Sequence, residues 1–542
     1  MRGHVIALVI LWLLALVVRL DATRLRTSAG HGDVAAYYQV SRNLYEGRGF
    51  VQDFVADRLA SPVTLPTPSN TWWRPLPSIL GWLGMEVAGD STYEDGKRAM
   101  IFVASFIPWV AYAAALLLLA SRWAAFAAGL LAVGFHLYLD QPNQILSHGP
   151  YGLTAGAALV MILGVERSTR HLAWFGVLFG LAYLSRGDSQ VLPILLGVAL
   201  LAARVFGDRT AVPWRRLGVA AGLFVLIAAP WWARNFDVYD APMPPGQSKA
   251  AYAKTYEDWF RSPDRLTWER YEAWGSEKIW QQKRRSVADA ASFVPLAMSR
   301  SVDRGKTLGP DAPARRLQVL GLYVLGPLLW LGFAWLLIAR RRAALLVLLH
   351  LTALVVLYAV GFSAIGRNSF HSSLFSVYPV FLACIVAAIQ LLLRPLGDAR
   401  ARLRDGLTVA IAVVVAGLNV WAARPHLAAK YRGVENMLTP YRALAGWVDE
   451  HRAETPVIFC RNPWQLSAEA RIGAVMIPLA DAEEIRRVAR TFGVTHLVDE
   501  LRDPKGLVRI RPGLEAMFAA GELKRIKARA GFPLYQLLLP ER

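Results

Sequence analysis

The sequence predicts a mainly α-helical protein that crosses a membrane about eleven times, with helices in its outer loops and a small C-terminal α/β domain. Of the 542 residues, 55% are hydrophobic and only 18% are charged. The apolar residues form long runs such as VLGLYVLGPLLWLGFAWLLIA, close to the ~20 residues that cross ~30 Å of hydrocarbon. The arginines cluster in short loops between these runs, and the last 120 or so residues return to the mixed pattern of a water-facing domain.

Eleven apolar runs are candidate spans. The first has no convincing small-x-small cleavage site after it, so we expect it to be retained. The run LPSILGWLGMEVAG at 76–89 is short and interrupted by glycine, which indicates an interfacial or re-entrant helix. The eleven candidates cover 4–20, 99–120, 123–139, 151–165, 171–185, 189–206, 216–232, 317–338, 343–362, 373–393 and 406–422.

The arginines predict the orientation of these spans, because basic loops remain in the cytoplasm. With the N-terminus inside, the opposite short loops hold only Arg186 and Arg367. The cytoplasmic loops then contain Arg122, Arg167, Arg170, Arg204, Arg215, Arg216, the run Arg340–Arg342 and the arginines of 394–404. This distribution assigns the net charge of +20 to membrane topology, not to nucleic-acid binding.

Three larger segments then lie outside the cytoplasm: the loops 21–98 and 233–316, and the tail. We therefore divide the chain into a transmembrane domain, 1–422, and a soluble extracytoplasmic domain, 423–542. The predicted location is a bacterial inner membrane. The loop 233–316 is rich in aromatic and charged residues, a composition that suits either a membrane surface or the stacking of sugars.

The tail has the pattern of a small α/β domain. PVIFC, AVMIPL and THLVDE read as strands, and DAEEIRRVARTFG reads as a helix with Ile485, Val488 and Phe492 on one face. It contains neither a glycine-rich phosphate loop nor a nucleophile motif, which favours a packing or acceptor-docking domain. Cys384 and Cys460 have no metal-ligand spacing and do not predict a disulfide.

The first loop contains a helix-forming stretch, GHGDVAAYYQVSRNLYEGRGF, at 30–50. From Asp33 onward, apolar residues and tyrosines, Tyr37 among them, recur at helical spacing, and Gly47 is suited to end the helix. The pattern is typical of an amphipathic helix that lies on the membrane face. Asp33 would be its N-cap, and spacing alone favours this ordinary role over a chemical one.

Several cations follow at the outer ends of spans. Arg74, beside Trp73 in NTWWRPLPSIL, suits a phosphate because its guanidinium pairs bidentately with phosphate oxygens, although Trp and Arg also anchor helices at interfaces. Arg186 is two residues from Asp188, and such pairs commonly neutralise each other. Arg234 ends a span in PWWARN, and Arg367 precedes a further one. A surface of this kind favours an anionic ligand.

Two histidines also lie at the predicted outer ends of spans. His148 begins a span in LSHGPYGL, and His371 follows Arg367 in RNSFHSSLFSVYP. A lone histidine is more often a hydrogen-bonded structural residue than a ligand, but near an acidic site it can bind a metal ion or orient a substrate.

In this order, the motifs resemble those of the C superfamily of membrane glycosyltransferases, which use polyprenyl-phosphate sugars. The resemblance is to the branch of protein O-mannosyltransferases and lipid A aminoarabinose transferases. It covers nearly the whole chain and rests on GDVAAYYQVSRNLYEGRGF, RPLPSIL, GLAYLSRGD, PWWARN, RNSFHSSLFSVYP and the tail phrase AVMIPLADAEEIRRVARTFGVTHLV.

The resemblance implies roles for two residues. Asp33 matches the essential carboxylate, which acts as a base or holds a metal ion, and Arg74 matches the residue that faces the lipid phosphate. The sequence departs from the family where Trp73 replaces a frequent acid and where His148 occupies another acidic position. A divalent metal is therefore possible, and its ligands are unknown.

The site predicted from these considerations has three parts. Asp33 is the catalytic candidate. Arg74, Arg186, Arg234 and Arg367 are the candidates for binding the donor phosphate, and Tyr37, Trp73, His148 and His371 are the candidates for binding substrate. One base among several cations suits this chemistry, because a phosphate leaves readily once its charge is stabilised.

The predicted activity is transfer of a single sugar from a polyprenyl-phosphate donor to a glycan, lipid or protein acceptor outside the cytoplasm, with inversion. Two alternatives stay open. A flippase or carrier would carry charges at mid-span, whereas these spans are nearly free of ionisable residues. The other is a ligase that moves a preassembled glycan rather than one sugar, which the sequence does not exclude.

Overall fold

The computed structural model describes residues 2–30, 32–165, 168–206, 213–246, 248–255, 258, 266–294, 298, 315–361, 367–454, 456–502, 504–526 and 531–539, without the side chains of 367–369, 398 and 510. The helices of the first half are α1 (Arg2–Thr23), α2 (Gly32–Tyr45), α3 (Leu76–Ala88), α4 (Tyr93–Ala104), α5 (Ile107–Leu119), α6 (Arg122–Gly134), α7 (His136–Leu139), α8 (His148–Leu163), α9 (Leu172–Ser185), α10 (Val191–Phe206) and α11 (Trp214–Tyr239).

The helices of the second half are α12 (Trp268–Glu272), α13 (Ser276–Phe293), α14 (Arg315–Leu320), α15 (Gly326–Ala339), α16 (Arg341–Gly361), α17 (Arg367–Ser373), α18 (Tyr378–Leu392), α19 (Ala401–Glu450), α20 (Pro463–Ala470), α21 (Ala482–Phe492), α22 (Pro504–Ile510) and α23 (Gly513–Ala519). The strands are β1 (Val51–Gln52), β2 (Phe54–Val55), β3 (Thr67–Pro68), β4 (Ile458–Cys460), β5 (Ala474–Met476), β6 (His496–Val498), β7 (Leu523–Ile526) and β8 (Leu534–Leu537).

The mainly helical membrane fold is confirmed. Seven helices of the described chain are long and apolar enough to cross a membrane, and two bent pairs, α6 with α7 and the α17–α18 segment, raise the number to nine. The other two predicted spans coincide with α8 and α9, apolar helices of 16 and 14 residues. The run 76–89 forms the 13-residue helix α3, which is shorter than the spans, as predicted.

The membrane helices pack closely through small residues. Alanines and glycines fill the contact surfaces of α5, α6 and α8, where many are fully buried. Gly176 of α9 approaches the backbone of Ala220 on α11 so closely that even a methyl group would collide with its carbonyl oxygen. Close backbone approach of this kind drives helix association where lipid supplies no hydrophobic force.

Helix α19 joins the two parts of the chain. It covers the predicted span at 406–422 and continues without a break to Glu450, with Pro425 and Pro440 inside it. The ion pair between Lys430 and Asp140, 2.6 Å apart, attaches the middle of α19 to the end of the helix bundle. Beyond it, Val434, Leu438, Tyr441, Leu444 and Trp447 enter the core of the C-terminal domain.

The C-terminal sheet includes a strand from the first loop. The predicted strands are confirmed as β4, β5 and β6, and the predicted helix as α21, with Ile485, Val488 and Phe492 buried. The six-stranded sheet has the order β2-β5-β4-β6-β8-β7. Strand β2 pairs parallel with β5, Phe54 opposite Ala474 and Val55 opposite Val475, so the first loop forms one edge of the domain.

Helix α2 corrects one expectation. It does not lie on the membrane face with its polar side exposed, since nine of its 14 residues are buried. The Gln39 amide donates to the Ser467 hydroxyl, and Arg42 donates to the carbonyl of Ala468 at 3.0 Å. The polar face of α2 therefore packs against α20. We call the side of the helix bundle that carries α2 and the C-terminal domain the domain side.

The turn before α2 gives a test of this packing. Gly30 has a φ of 78°, and a Cβ added there would lie 2.8 Å from Cγ1 of Val434 on α19. We expect Gly30→Ala to lower the apparent melting temperature of the detergent-solubilised protein. A methyl group there adds a steric clash to the ~1–2 kcal/mol that a left-handed backbone costs a non-glycine residue.

Gly89 is the matched control. It also has a φ of 78°, but a Cβ added there meets nothing within 4 Å. Gly89→Ala reports backbone strain alone, so it should lower the melting temperature less than Gly30→Ala does. Equal effects would show that contact with Val434 does not hold the turn against α19.

Candidate active site

Asp33 lies at the start of α2 on the domain side. The helix begins at Gly32, so Asp33 belongs to its first turn and is not the N-cap that the sequence predicted. A carboxylate in the first turn is stabilised by the positive end of the helix dipole. The side chain is exposed, unlike most of the helix that follows it.

Tyr37, one turn after Asp33, connects that residue to the cations. Its side chain is 3% exposed and its hydroxyl hydrogen-bonds with Ser147. Burial and the nearby carboxylate of Asp33 raise the pKa of Tyr37, while Arg186 and Arg74 act in the opposite direction. The phenol thus stays protonated at neutral pH. Asp33, Arg74 and Arg186 therefore lie near enough to Tyr37 to act on its hydroxyl electrostatically.

Arg186 is the centre of a buried polar network. Its Nε lies 3.1 Å from Asp188, its Nη1 donates to Ser147 at 3.1 Å, and its Nη2 donates to the hydroxyl of Tyr358 at 2.9 Å. Asp188 also accepts a hydrogen bond from Ser373. The pairing of Arg186 with Asp188 that the sequence suggested is present, so much of its charge is compensated within the protein.

Arg74 is in a different electrostatic situation. Its side chain is 6% exposed and lies over the ring of Tyr183, 4.5 Å from the centroid, with a long hydrogen bond of 3.4 Å to the hydroxyl. Within the described ranges, Arg74 forms no ion pair with a carboxylate. A buried cation normally has a counter-charge, because desolvating it alone costs several kcal/mol even after the protein relaxes. Arg74 is therefore suited to receive an anion.

The other two predicted arginines differ from Arg74. Arg234 donates from Nη2 to the carbonyls of Phe50 and Ser69, at 3.2 and 3.1 Å, and thereby fastens the first loop to the end of α11. Its charge meets backbone dipoles and the ring of Trp231, 4.9 Å away. Arg367 begins α17, but its side chain lies outside the described residues.

Of the other predicted substrate-binding residues, His148 and His371 are buried and Trp73 is half-buried. His148 Nε2 is 2.7 Å from the Ser372 hydroxyl, and its ring contacts Phe375 edge-on. His371 packs against Phe293 and Phe375. Trp73 lies between Tyr37 and Phe54, with 6.4 Å between ring centroids in both cases. Trp73 thus stands where the first loop, α2 and the C-terminal sheet meet.

Metal ligation is a separate question. In the part of the chain that the structure describes, no three His, Cys, Asp or Glu side chains come together as metal ligands would. A divalent ion at Asp33 would need oxygen atoms from substrate or water to complete its coordination.

The comparisons with known proteins give a fold and no sequence match. No family model matches the sequence, and no curated protein matches it. Among solved structures, ArnT from Cupriavidus metallidurans bound to undecaprenyl phosphate aligns with a TM-score of 0.59 and 14% identity, over 98% of this chain and 99% of that one. The oligosaccharyltransferase of Archaeoglobus fulgidus aligns with a TM-score of 0.54 and 14% identity, over 96% of this chain and 73% of that one.

The chain has the fold of the C superfamily of membrane glycosyltransferases. The alignment with ArnT covers both proteins almost completely, including the C-terminal domain and the first loop. A third structure, the archaeal oligosaccharyltransferase AglB in complex with an inhibitory peptide and a dolichol-phosphate, aligns over 92% of this chain with a TM-score of 0.50 and 15% identity. The family resemblance read from the motifs is thus confirmed at the level of fold.

Several residues of the candidate site were missed by sequence reasoning. Ser147, Tyr183, Tyr358 and Ser373 carry no motif of their own. Their shared signal is position, because each lies at the domain-side end of an apolar run. Position at a span end marks many residues, so only the packing of the spans could single out these four.

Asp188→Asn tests whether Arg186 depends on its internal counter-charge. Removing the negative charge leaves a buried cation without its partner, a change that costs about 3–5 kcal/mol in proteins. We expect a clear fall in the apparent melting temperature, measured by intrinsic tryptophan fluorescence in detergent.

Asp449→Asn provides the comparison, because Asp449 and its partner Arg452 are both exposed at the end of α19. Exposed pairs contribute little, so this variant should melt like the wild type. If the two substitutions had equal effects, Asp188 would not be the residue that compensates Arg186.

Proposed function

We propose that the protein transfers a single sugar from a polyprenyl-phosphate donor to an acceptor hydroxyl, with inversion at the anomeric carbon. Asp33 acts as the general base, and the donor phosphate lies against Arg74. The acceptor is a glycan, a lipid or a protein. The fold supports the reaction class, and ArnT, which shares it, has been solved with undecaprenyl phosphate bound.

The observation that carries the proposal is that Arg74 is buried without a paired carboxylate among the described residues. Its guanidinium lies at the end of the helix bundle. A phosphate monoanion or dianion would supply the missing charge through two parallel N–H···O bonds. The neighbouring Arg186 already has Asp188 as its partner and adds a second, partly compensated positive charge.

The bond changes follow from this arrangement. Asp33 accepts the proton of the acceptor hydroxyl as its oxygen attacks the anomeric carbon from the side opposite the phosphate. The bond between the anomeric carbon and the phosphate oxygen breaks, and its electron pair remains on the polyprenyl phosphate, whose charge changes from −1 to −2. Arg74 stabilises the additional charge as it develops, so it contributes more to the transition state than to the ground state.

The proposal also includes the side of the membrane on which the site lies. Asp33, Arg74 and the C-terminal domain lie on the domain side, where the arginine asymmetry predicts the extracytoplasmic space. A polyprenyl chain would extend from the Arg74 region into the bilayer. This orientation places the N-terminus in the cytoplasm of a bacterial cell and the site at the outer surface of its inner membrane.

Arg74→Ala tests the donor site through binding alone. We expect the dissociation constant for undecaprenyl phosphate, measured by native mass spectrometry or calorimetry in detergent, to rise roughly 10- to 100-fold, since hydrogen bonds to charged groups contribute about 1.5–3 kcal/mol. Arg98→Ala is the control, because Arg98 is an exposed arginine of the same loop that pairs with Asp95. Unchanged binding in Arg74→Ala would contradict the phosphate assignment.

Asp33→Asn tests the base. With a panel of polyprenyl-phosphate sugars as donors, the rate of transfer should fall by roughly 10²–10⁴-fold, the usual contribution of a general base. The exposed Asp90→Asn, in the same loop, should transfer sugar at the wild-type rate. Wild-type turnover by Asp33→Asn would remove Asp33 from the chemistry.

The same transfer assay distinguishes the remaining alternative functions. If chelation with EDTA abolishes transfer and Mg²⁺ or Mn²⁺ restores it, Asp33 holds a metal ion and is not a lone base. Translocation of the lipid-linked sugar without bond transfer would identify a flippase or carrier. Activity confined to oligosaccharide donors would identify a ligase.

A further inference from the structure

A recess whose lining includes neither Arg74 nor Arg186 opens next to the start of α2. It is a cleft of about 550 Å³ between α19 and the C-terminal domain, and Gly32, directly before Asp33, forms part of its wall. The volume is within the range of about 300–1,000 Å³ that is typical of small-molecule sites. The residue directly before the proposed base therefore lines this cleft, while Tyr37, one turn later, is influenced electrostatically by that base and by the donor cations Arg74 and Arg186.

The floor of the cleft is held rigid by Glu500. One carboxylate oxygen accepts from the backbone N–H groups of Arg461 and Asn462, at 2.9 and 3.0 Å. The other accepts from the Tyr441 hydroxyl at 3.0 Å and from the side-chain amide of Asn462. Four donors satisfy this carboxylate, so Glu500 fixes the lining and its acceptor positions are occupied by groups of the protein itself.

The surface above this floor combines aromatic rings with cations. Trp464 is partly buried and Phe532 is 9% exposed, and together with Tyr441 they give an apolar wall. Arg461 and Arg502 are exposed at the rim, and within the described ranges neither is paired with a carboxylate. Arg502 has a φ of 57°, a left-handed backbone that non-glycine residues adopt only where the surroundings enforce it.

We propose that this cleft binds the acceptor glycan through a sugar unit that carries an anionic group, a phosphate or a carboxylate. The apolar C–H face of the sugar ring packs against Trp464 and Phe532, and the anion pairs with Arg461 and Arg502. The inference rests on the proposed function, because it is the adjacency to Asp33 that makes the occupant an acceptor. A hydroxyl of the bound or the neighbouring sugar then faces the base.

The test measures binding separately from transfer. Glucose 6-phosphate, glucose and inorganic phosphate are the probes, offered to the full-length protein in detergent with undecaprenyl phosphate present to occupy the donor site. Saturation-transfer NMR detects the sugars, and competition against glucose 6-phosphate detects inorganic phosphate. We expect glucose 6-phosphate to bind at least ~10-fold more tightly than either other probe, because only it uses both halves of the cleft.

Two substitutions assign the binding to the cleft. Arg461→Ala removes a guanidinium but keeps the backbone N–H that Glu500 requires, and Trp464→Ala removes the ring. Each should weaken glucose 6-phosphate by roughly 10-fold or more. Arg490→Ala, an exposed arginine of the same domain on α21 and outside the cleft, is the control. Arg502→Ala replaces Arg461→Ala if the latter fails to fold.

Every outcome decides the proposal. If inorganic phosphate binds as tightly as glucose 6-phosphate, the cleft is a simple anion site. If glucose binds as tightly as glucose 6-phosphate, the arginines have no role in binding. Wild-type binding in both cleft variants, or no binding of any probe, would overturn the inference while Asp33-dependent transfer remained intact. Binding in the cleft without any Asp33-dependent transfer would instead overturn the proposed function.

Discussion

Helix α2 has almost no solvent-facing side, and the arrangement of the extramembrane parts follows from how its polar residues are satisfied. Gln39 and Arg42 face α20, and Arg42 donates to the carbonyls of Ala468 and Ser467 near its C-terminal end. The Ser467 carbonyl also accepts from the backbone N–H of Arg471. The Ala468 carbonyl lies in the last turn of α20, where carbonyls lack intrahelical donors, so the Arg42 cation there satisfies both partners. Docking of the C-terminal domain thus supplies hydrogen-bond partners for the polar side chains of α2. In return, Arg42 of α2 supplies a donor to the last turn of α20.

The same contact explains why the first loop and the tail form one structure. Strand β2 follows α2 after a few residues and becomes the edge strand beside β5. Helix α19 rises from the membrane domain, is tied to Asp140 by Lys430, and ends inside the core of the C-terminal domain. These connections fix the start of α2 relative to the ends of the spans. A catalytic carboxylate needs this precision, because small misplacements of reacting groups cost much of the rate.

Three arginines that look alike in the sequence have different electrostatic surroundings. Arg186 has a carboxylate partner in Asp188, Arg234 binds two backbone carbonyls, and Arg74 faces an aromatic ring without a carboxylate among the described residues. Among these three, only Arg74 has neither a carboxylate nor a backbone carbonyl as a side-chain partner in the described structure, so its donors remain available to an anion. In the cleft that the first residue of α2 lines, the carboxylate of Glu500 is satisfied by four donors, while the two arginines at the rim form no ion pair with a carboxylate of the described chain. The start of α2 therefore lies close to two groups of arginines that suit anions.

The sequence by itself determined the membrane helices, the short helix α3, the strands β4 to β6 and the position of Asp33 after the first span. The helices and strands follow from hydropathy and periodicity. Both are properties of consecutive residues, because they reflect the solvent around a segment and its local backbone geometry. The sequence also predicted the fold that the chain shares with ArnT, because the order of weak motifs relative to the spans is itself a long-range signal. The identity of Asp33 as a candidate came from this order and not from its spacing.

Only the tertiary structure decided the burial of α2, the entry of β2 into the C-terminal sheet, the continuation of α19 beyond 422 and the partner of each arginine. A two-residue strand has too little pattern to be recognised alone, and its pairing depends on a strand more than 400 residues later. The charge that a guanidinium has available depends on which side chains lie within a few ångströms of it. Those neighbours come from separate spans and loops, so no local stretch of sequence contains them.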